Sequence, residues 1–352
     1  MNQENDRKLT DYRSFAMSYR IELDFHAANN EGAGGTNVME PRRITVGDKE
    51  HDGISGEMVR RGILENFVKL CQRDTVPLHD RCKGLVPDRG KEDLKLWMLK
   101  NGDLPKKDNM PLLDPKNYPA ATKSLIESCA LCDVGGYLLA LEKSEGALGV
   151  LKRDSCFEVG WLISEHPAIV DYTQHSAYDP DPAKHNLFVQ NMRVGIYGGV
   201  FRLDLDRIGR NDWWWLFPKD AQNQTGFEEY SIKPEERKNR ARLLTEAMKL
   251  WLLSPAFAKQ AGWLHHQSGL LEGSITLSTE GASPFASPIK FELENGRPTL
   301  KRNDQYQKQL DALKTKCGGS FEKYDFASPA ELVGIIDKLL KNAGQEQEGT
   351  ES

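Results

Sequence analysis

The chain has 352 residues, 39% hydrophobic and 28% charged, with a formal net charge of −5. That apolar fraction is too high for a disordered chain, there is no Gly-X-Y period, and no apolar run approaches the roughly 18 residues of a membrane helix. The mild acidity argues against binding nucleic acid by bulk charge alone. The opening MNQENDRKLTDYR is polar and has no apolar signal core, so a cytoplasmic location is expected.

Residues 14–26, SFAMSYRIELDFH, alternate apolar and polar, which predicts a long strand with one buried face. AANNEGAGGTNVMEPRR follows as a Gly/Asn-rich loop carrying Arg42 and Arg43. A short extended piece at 44–54 leads into a helix from about Gly56 to Gln72. Val59, Ile63, Phe67 and Leu70 form its apolar stripe and Ser55 its N-cap. Residues 73–120 read as a loop-rich insertion with one short helix, KEDLKLWMLKN. A helix or turn at 121–134 carries a C-x-x-C, and GGYLLAL (135–141) and CFEVGWLI read as strands. Residues 165–193 lack clear periodicity and read as a long irregular loop of the functional kind. A strand returns at 194–208, followed by Trp213, Trp214 and Trp215, which could form an exposed interaction patch. Residues 235–253 predict an amphipathic helix opened by Pro234, 272–279 a strand, and SPAELVGIIDKLLKN a closing helix capped by Ser328 and Glu331. The last residues, 342–352, read as a disordered acidic tail.

No phosphate-loop, G-x-S-x-G or H-E-x-x-H motif is present. The pair Asp204 and Asp206 could serve acid/base or metal chemistry, or simply pair with Arg202 and Arg207. His265 and His266 read as turn histidines. Six cysteines in a chain without an export signal are expected to be reduced. Cys129 and Cys132 could hold zinc with two further ligands from Cys71, Cys82 and His79. They could also be a redox pair, or all four thiols could be buried small hydrophobes, leaving the chain without a cofactor.

The stronger set is basic. Ser55 and Gly56 open a helix whose first N–H groups can face an anion, and Arg60 and Arg61 project from its early turns. With Arg42 and Arg43 they make a candidate phosphate-binding edge. The core order β-α-β-β-α-β with large insertions fits an α+β, ferredoxin-like or RRM-like fold.

These motifs resemble the CRISPR-associated DevR autoregulator family, the backbone (Cas seven) subunits of type I Cascade complexes within the repeat-associated mysterious protein superfamily. The matching segments are ISGE with Arg60, CALCDVGGYLLA, IYGGVFRLDLDRIG and SITLSTEGASP. The resemblance implies a palm built from residues 1–72, 135–163 and 195–341, fingers from 73–134 and a thumb from 164–194. It implies a non-catalytic subunit whose copies polymerise head to tail along CRISPR RNA. Its further partners would be other Cascade subunits and, through the guide, target DNA. Arg42, Arg43, Ser55, Gly56, Arg60, Arg61, Gly281 and Ser283 would lie near the guide. Asp171, Asp179 and Asp181 fall where relatives of type III carry a cleaving aspartate, which keeps target-RNA cleavage as the alternative.

Overall fold

The computed structural model describes residues 7–28, 30–32, 38–86, 88–101, 104–177, 186–215, 228–255, 269–317 and 320–341. His265, His266, Asp179, Asp181 and the 342–352 tail lie outside the described residues.

The opening strand forms as its alternation predicts, over Ser14–His26, and becomes a central strand of an 11-stranded, mainly antiparallel sheet. It is paired on one side by Leu271–Ser278 and on the other by Asn186–Asp204. Phe157–Val159 and Leu162–Pro167 pair with the far side of Asn186–Asp204, and Lys49–Ile54 and Arg43–Val46 extend the sheet beyond them. Phe321–Phe326 closes the other edge, on Leu271–Ser278.

The apolar face of the opening strand buries Phe15, Met17, Tyr19, Ile21 and Leu23. Two helices, Gly56–Arg73 and Pro234–Leu253, supply the apolar stripes that enclose this core. Val59, Ile63, Phe67 and Leu70 come from the first, and Leu244, Ala247, Met248 and Trp251 from the second. The Phe201 ring meets Phe15 edge-on at 6.1 Å and Phe157 at 5.7 Å. Truncating a fully enclosed ring such as Phe67 to alanine costs about 3–5 kcal/mol in this kind of packing.

The first half of the opening strand's second face is also buried, contrary to the expectation of one buried face. Ser14, Ser18 and Arg20 are each no more than 3% exposed. Arg20 is held by Glu165, 2.7 Å away, and by Glu272 from the neighbouring strand. Alternation in sequence reports polarity, and a polar face can be buried once every charge on it is paired.

Further elements differ from the sequence reading. Tyr137–Leu141 is not a strand of the large sheet; it pairs only with Gly149–Arg153 in a separate hairpin. The described residues of the stretch read as an irregular loop are largely paired strands. Ile169–Ala177 runs antiparallel to the first half of Asn186–Asp204, from Ile169 opposite Val194 to Ala177 opposite Asn186. Its β-branched and aromatic residues favour strand, but its sequence shows no clear period of two. The hairpin Ile289–Glu294/Arg297–Arg302 and the helix Tyr306–Lys316 were not read from the sequence.

One buried carboxylate ties these parts together. Asp133, directly after the C-x-x-C, accepts from Arg153 at 2.6 Å, from Arg240 at 3.0 Å and from the Gly209 N–H at 2.9 Å. Removing one member of such a set leaves buried charge without a partner, at a cost of about 3–5 kcal/mol. Asp133→Ala should therefore lower the urea midpoint strongly. Asp206→Ala, whose carboxylate is partly exposed and meets Arg13 and Arg210, should cost far less. Equal urea melts for the two variants would refute this ranking.

Candidate nucleic-acid interface

The helix Gly56–Arg73 starts against the edge of the sheet. Ser55 is its N-cap, with Oγ accepting from the Met58 N–H at 3.4 Å. Gly56 is fixed by close approach: a Cβ there would lie 2.1 Å from the Val159 carbonyl oxygen. The helix therefore enters with its backbone pressed against the Phe157–Val159 strand.

Arg60, one turn on, sits over the Phe157 ring at 5.6 Å and donates to the Gly135 carbonyl. Arg89 donates to the same carbonyl at 2.9 Å and also to that of Gly136. Two guanidinium groups thus share a neutral acceptor. Glu57 lies 3.6 Å from Arg60 but is itself largely exposed. Burial, with the Arg89 charge acting in the same sense, pulls the Arg60 pKa below its ordinary value against the pull of Glu57. An arginine stays charged even so, and positive charge gathers at this wall.

The wall faces a cleft of about 610 Å³ lined by Arg60, Arg61, Arg89, Lys152, Gly136 and Ser155 among others. Arg61 is exposed and pairs with Glu65 at 3.1 Å. Arg42 stacks on Trp161 at 4.9 Å, and Arg43 pairs with Glu50 in the outermost strand. Residues 157–161 connect these two basic positions, because Phe157 underlies Arg60 and Trp161 underlies Arg42.

The structure does not gather every residue singled out in the sequence. Ser283 is buried, with its hydroxyl donating to the Ser14 carbonyl at 2.9 Å, and the Gly281 carbonyl accepts from the Ser14 hydroxyl. Both brace a turn against the start of the opening strand. Asp204 ends its strand, and Asp206 meets Arg13, Arg210 and Tyr230 rather than Arg202 and Arg207. Trp213 is turned inward, donating to Thr122 at 2.9 Å and packing on Tyr118 at 4.7 Å, so it offers no exposed patch. Sequence reading missed Arg89, Lys152 and Trp161. Arg89 lies in the insertion far along the chain, and only its DRGK context, a basic residue at a turn, hinted at it.

The cysteines separate into two groups. Cys82, Cys129 and Cys132 converge with His79, while Cys71 lies on the Gly56–Arg73 helix outside that cluster. Cys156 is buried beside Arg153.

This geometry defines a mixed α/β protein with a cleft at the start of one helix, lined by Arg60, Arg61, Arg89 and Lys152 together with Glu57 and Asp154. A family model described as CRISPR-associated negative auto-regulator DevR/Csa2 matches residues 17–289, and the chain belongs to that family. Among solved structures it is similar to a chain titled "CRISPR RNA-guided surveillance complex", at 11% identity and a TM-score of 0.43 over 94% of this chain and 99% of that one. A second, titled "CRISPR RNA-guided surveillance complex, pre-nicking", gives 12% and 0.45 over 93% and 100%. No curated protein matches the chain. Among the described residues, no helix is long and apolar enough to cross a membrane.

The paired guanidinium groups make a simple test. Sulfate or phosphate should raise the melting temperature more than chloride at equal ionic strength, and Arg89→Ala should reduce that difference to the general salting-out effect. An unchanged difference in Arg89→Ala would place the anion elsewhere.

Proposed function

We propose that this chain is a non-catalytic backbone subunit of a type I CRISPR surveillance complex, or Cascade. It holds CRISPR RNA by its phosphates and presents the guide for pairing with target DNA. The observation that carries the reading is the cleft at the Gly56–Arg73 helix start, where Arg60 and Arg89 share the Gly135 carbonyl. Membership of the DevR/Csa2 family supports it. A subunit that must accept any spacer sequence gains from contacts to backbone phosphates and sugar hydroxyls, since base pairing carries the sequence.

The strand order supports a ferredoxin-like palm. Leu271–Ser278, Ser14–His26, Asn186–Asp204 and Phe157–Pro167 lie side by side and antiparallel, and helices follow the first and third strands in chain order. In this reading residues 164–194, which include the Ile169–Ala177 strand, are the thumb, and the insertion 73–134 is the fingers. Copies would stack head to tail on the RNA, a heterologous contact that builds a filament, beside other Cascade subunits.

Filter binding to CRISPR RNA over a salt series tests the site. Changing Arg42, Arg60 and Arg89 to alanine together should weaken binding and flatten the salt slope by about 0.7 per lost phosphate contact. Unchanged affinity and slope would remove the assignment. Incubating the assembled complex with complementary RNA and Mg²⁺ should leave the RNA intact. Regularly spaced cuts would overturn the non-catalytic reading.

A further inference from the structure

Two motifs of equal spacing, His79-x-x-Cys82 and Cys129-x-x-Cys132, stand at the two ends of the 83–128 segment. His79 caps the turn of helix Asp80–Lys83, and Cys129 caps Ala130–Gly135, with its Sγ accepting from the Cys132 N–H at 3.4 Å. The Ala130 N–H donates to the Pro77 carbonyl at 2.9 Å and holds the two starts together. One ligand atom from each of the four residues lies within 4.8 Å of the other three, and all four side chains are buried.

We propose that His79, Cys82, Cys129 and Cys132 form a structural zinc site. The Cys82 and Cys132 sulfurs are 3.6 Å apart, and the Cys132 sulfur is 3.5 Å from His79 Nδ1. Tetrahedral zinc with Zn–S bonds of about 2.3 Å separates its ligand atoms by about 3.7 Å. A disulfide would require about 2.05 Å, so the spacing suits a shared ion better than a bond between two sulfurs. Three thiolates and an imidazole without an added water ligand make a closed set, which is the structural rather than the catalytic kind.

Two surrounding features agree. Ser128 Oγ donates to the Ser124 carbonyl at 2.6 Å and so accepts from His79 Nε2–H at 2.8 Å. In neutral imidazole that hydrogen bond leaves the Nδ1 lone pair directed at the sulfurs, as a ligating histidine requires. Asp93 Oδ2 lies 3.4 Å from the same Nδ1 and could engage it only by accepting from an Nδ1–H, which a metal-bound Nδ1 does not carry. Gly90 also backs the cluster. A Cβ there would lie 3.1 Å from both the Cys132 sulfur and His79 Nδ1, so glycine keeps room around the ligand atoms. The ion would staple the entry of the insertion to its exit, three residues before the Gly135 carbonyl that Arg60 and Arg89 share.

Elemental analysis of the full chain, purified without chelator, should find about one zinc per chain. Cobalt(II) replacement should give the visible bands of a tetrahedral thiolate centre. Cys132→Ser should lose the metal, and Cys317→Ser, at an exposed position, should keep it. Should Cys132→Ser fail to fold, alkylation of the wild-type chain decides: Cys82, Cys129 and Cys132 should label faster after a chelator is added. A folded, metal-free chain, metal retained in Cys132→Ser, or labelling indifferent to chelator would each overturn the proposal. Metal content is read without RNA, so its failure leaves the guide-binding reading standing.

Discussion

Asp133 has no exposed surface and answers two arginines at once, Arg153 and Arg240, both also fully enclosed. Without the arginines the carboxylate would be a buried charge with no counter-charge, and without it the arginines would keep only the partly exposed Asp212 and Glu236. The three support one another as a set. Through them four chain segments are fixed to one point: the Ala130–Gly135 helix, the Gly149–Arg153 strand, the turn at 207–212 and the Pro234–Leu253 helix. Arg153 alone reaches the Asp133, Arg207 and Arg210 carbonyls and the Asp212 carboxylate. The cleft wall therefore rests on electrostatics inside the protein, since Gly135 follows Asp133 by two residues.

The same constraint explains what could be read from the sequence. The Ser14–His26 strand, the Gly56–Arg73 helix and the Pro234–Leu253 helix have periodic apolar residues that face one core, and that pattern is local. Ser55 and Ser328 could be read because capping is a local event: Ser328 Oγ accepts from the Glu331 N–H at 3.2 Å. The order of strands in the sheet, the pairing of Arg20 with Glu165 and the partnership of Arg60 with Arg89 join residues distant in the chain. No window of sequence holds that information. In the C-x-x-C-D segment the cysteines stood out by spacing, while Asp133, on which more of the structure depends, carried no signal of its own.

The net charge of −5 now has a distribution. Many acidic groups neutralise arginines and lysines within the fold, as Glu165 and Glu272 do for Arg20, and Asp311 and Asp325 for Lys323. At the cleft Arg60 and Arg89 share carbonyl acceptors, which satisfy hydrogen bonds without cancelling charge, while the carboxylates there, Glu57 and Asp154, are largely exposed. An acidic protein can in this way hold a cationic surface of a few residues. The whole-chain balance governs indiscriminate adhesion to polyanions, and the local arrangement of acceptors governs where an anion settles.

Asn186–Asp204 is a single strand of 19 residues, about 60 Å long at strand rise. Its second half is hydrogen-bonded to the central strand of the sheet, and its first half is one arm of the Ile169–Ala177 hairpin. The hairpin is therefore an outward continuation of a core strand, with Val38 and Met39 paired to its Val189 and Gln190. A push on its outer part is delivered as torque to the Ser14–His26 strand and hence to the helices packed on it. Its orientation is set by the twist of the sheet, and re-aiming it requires deforming the core.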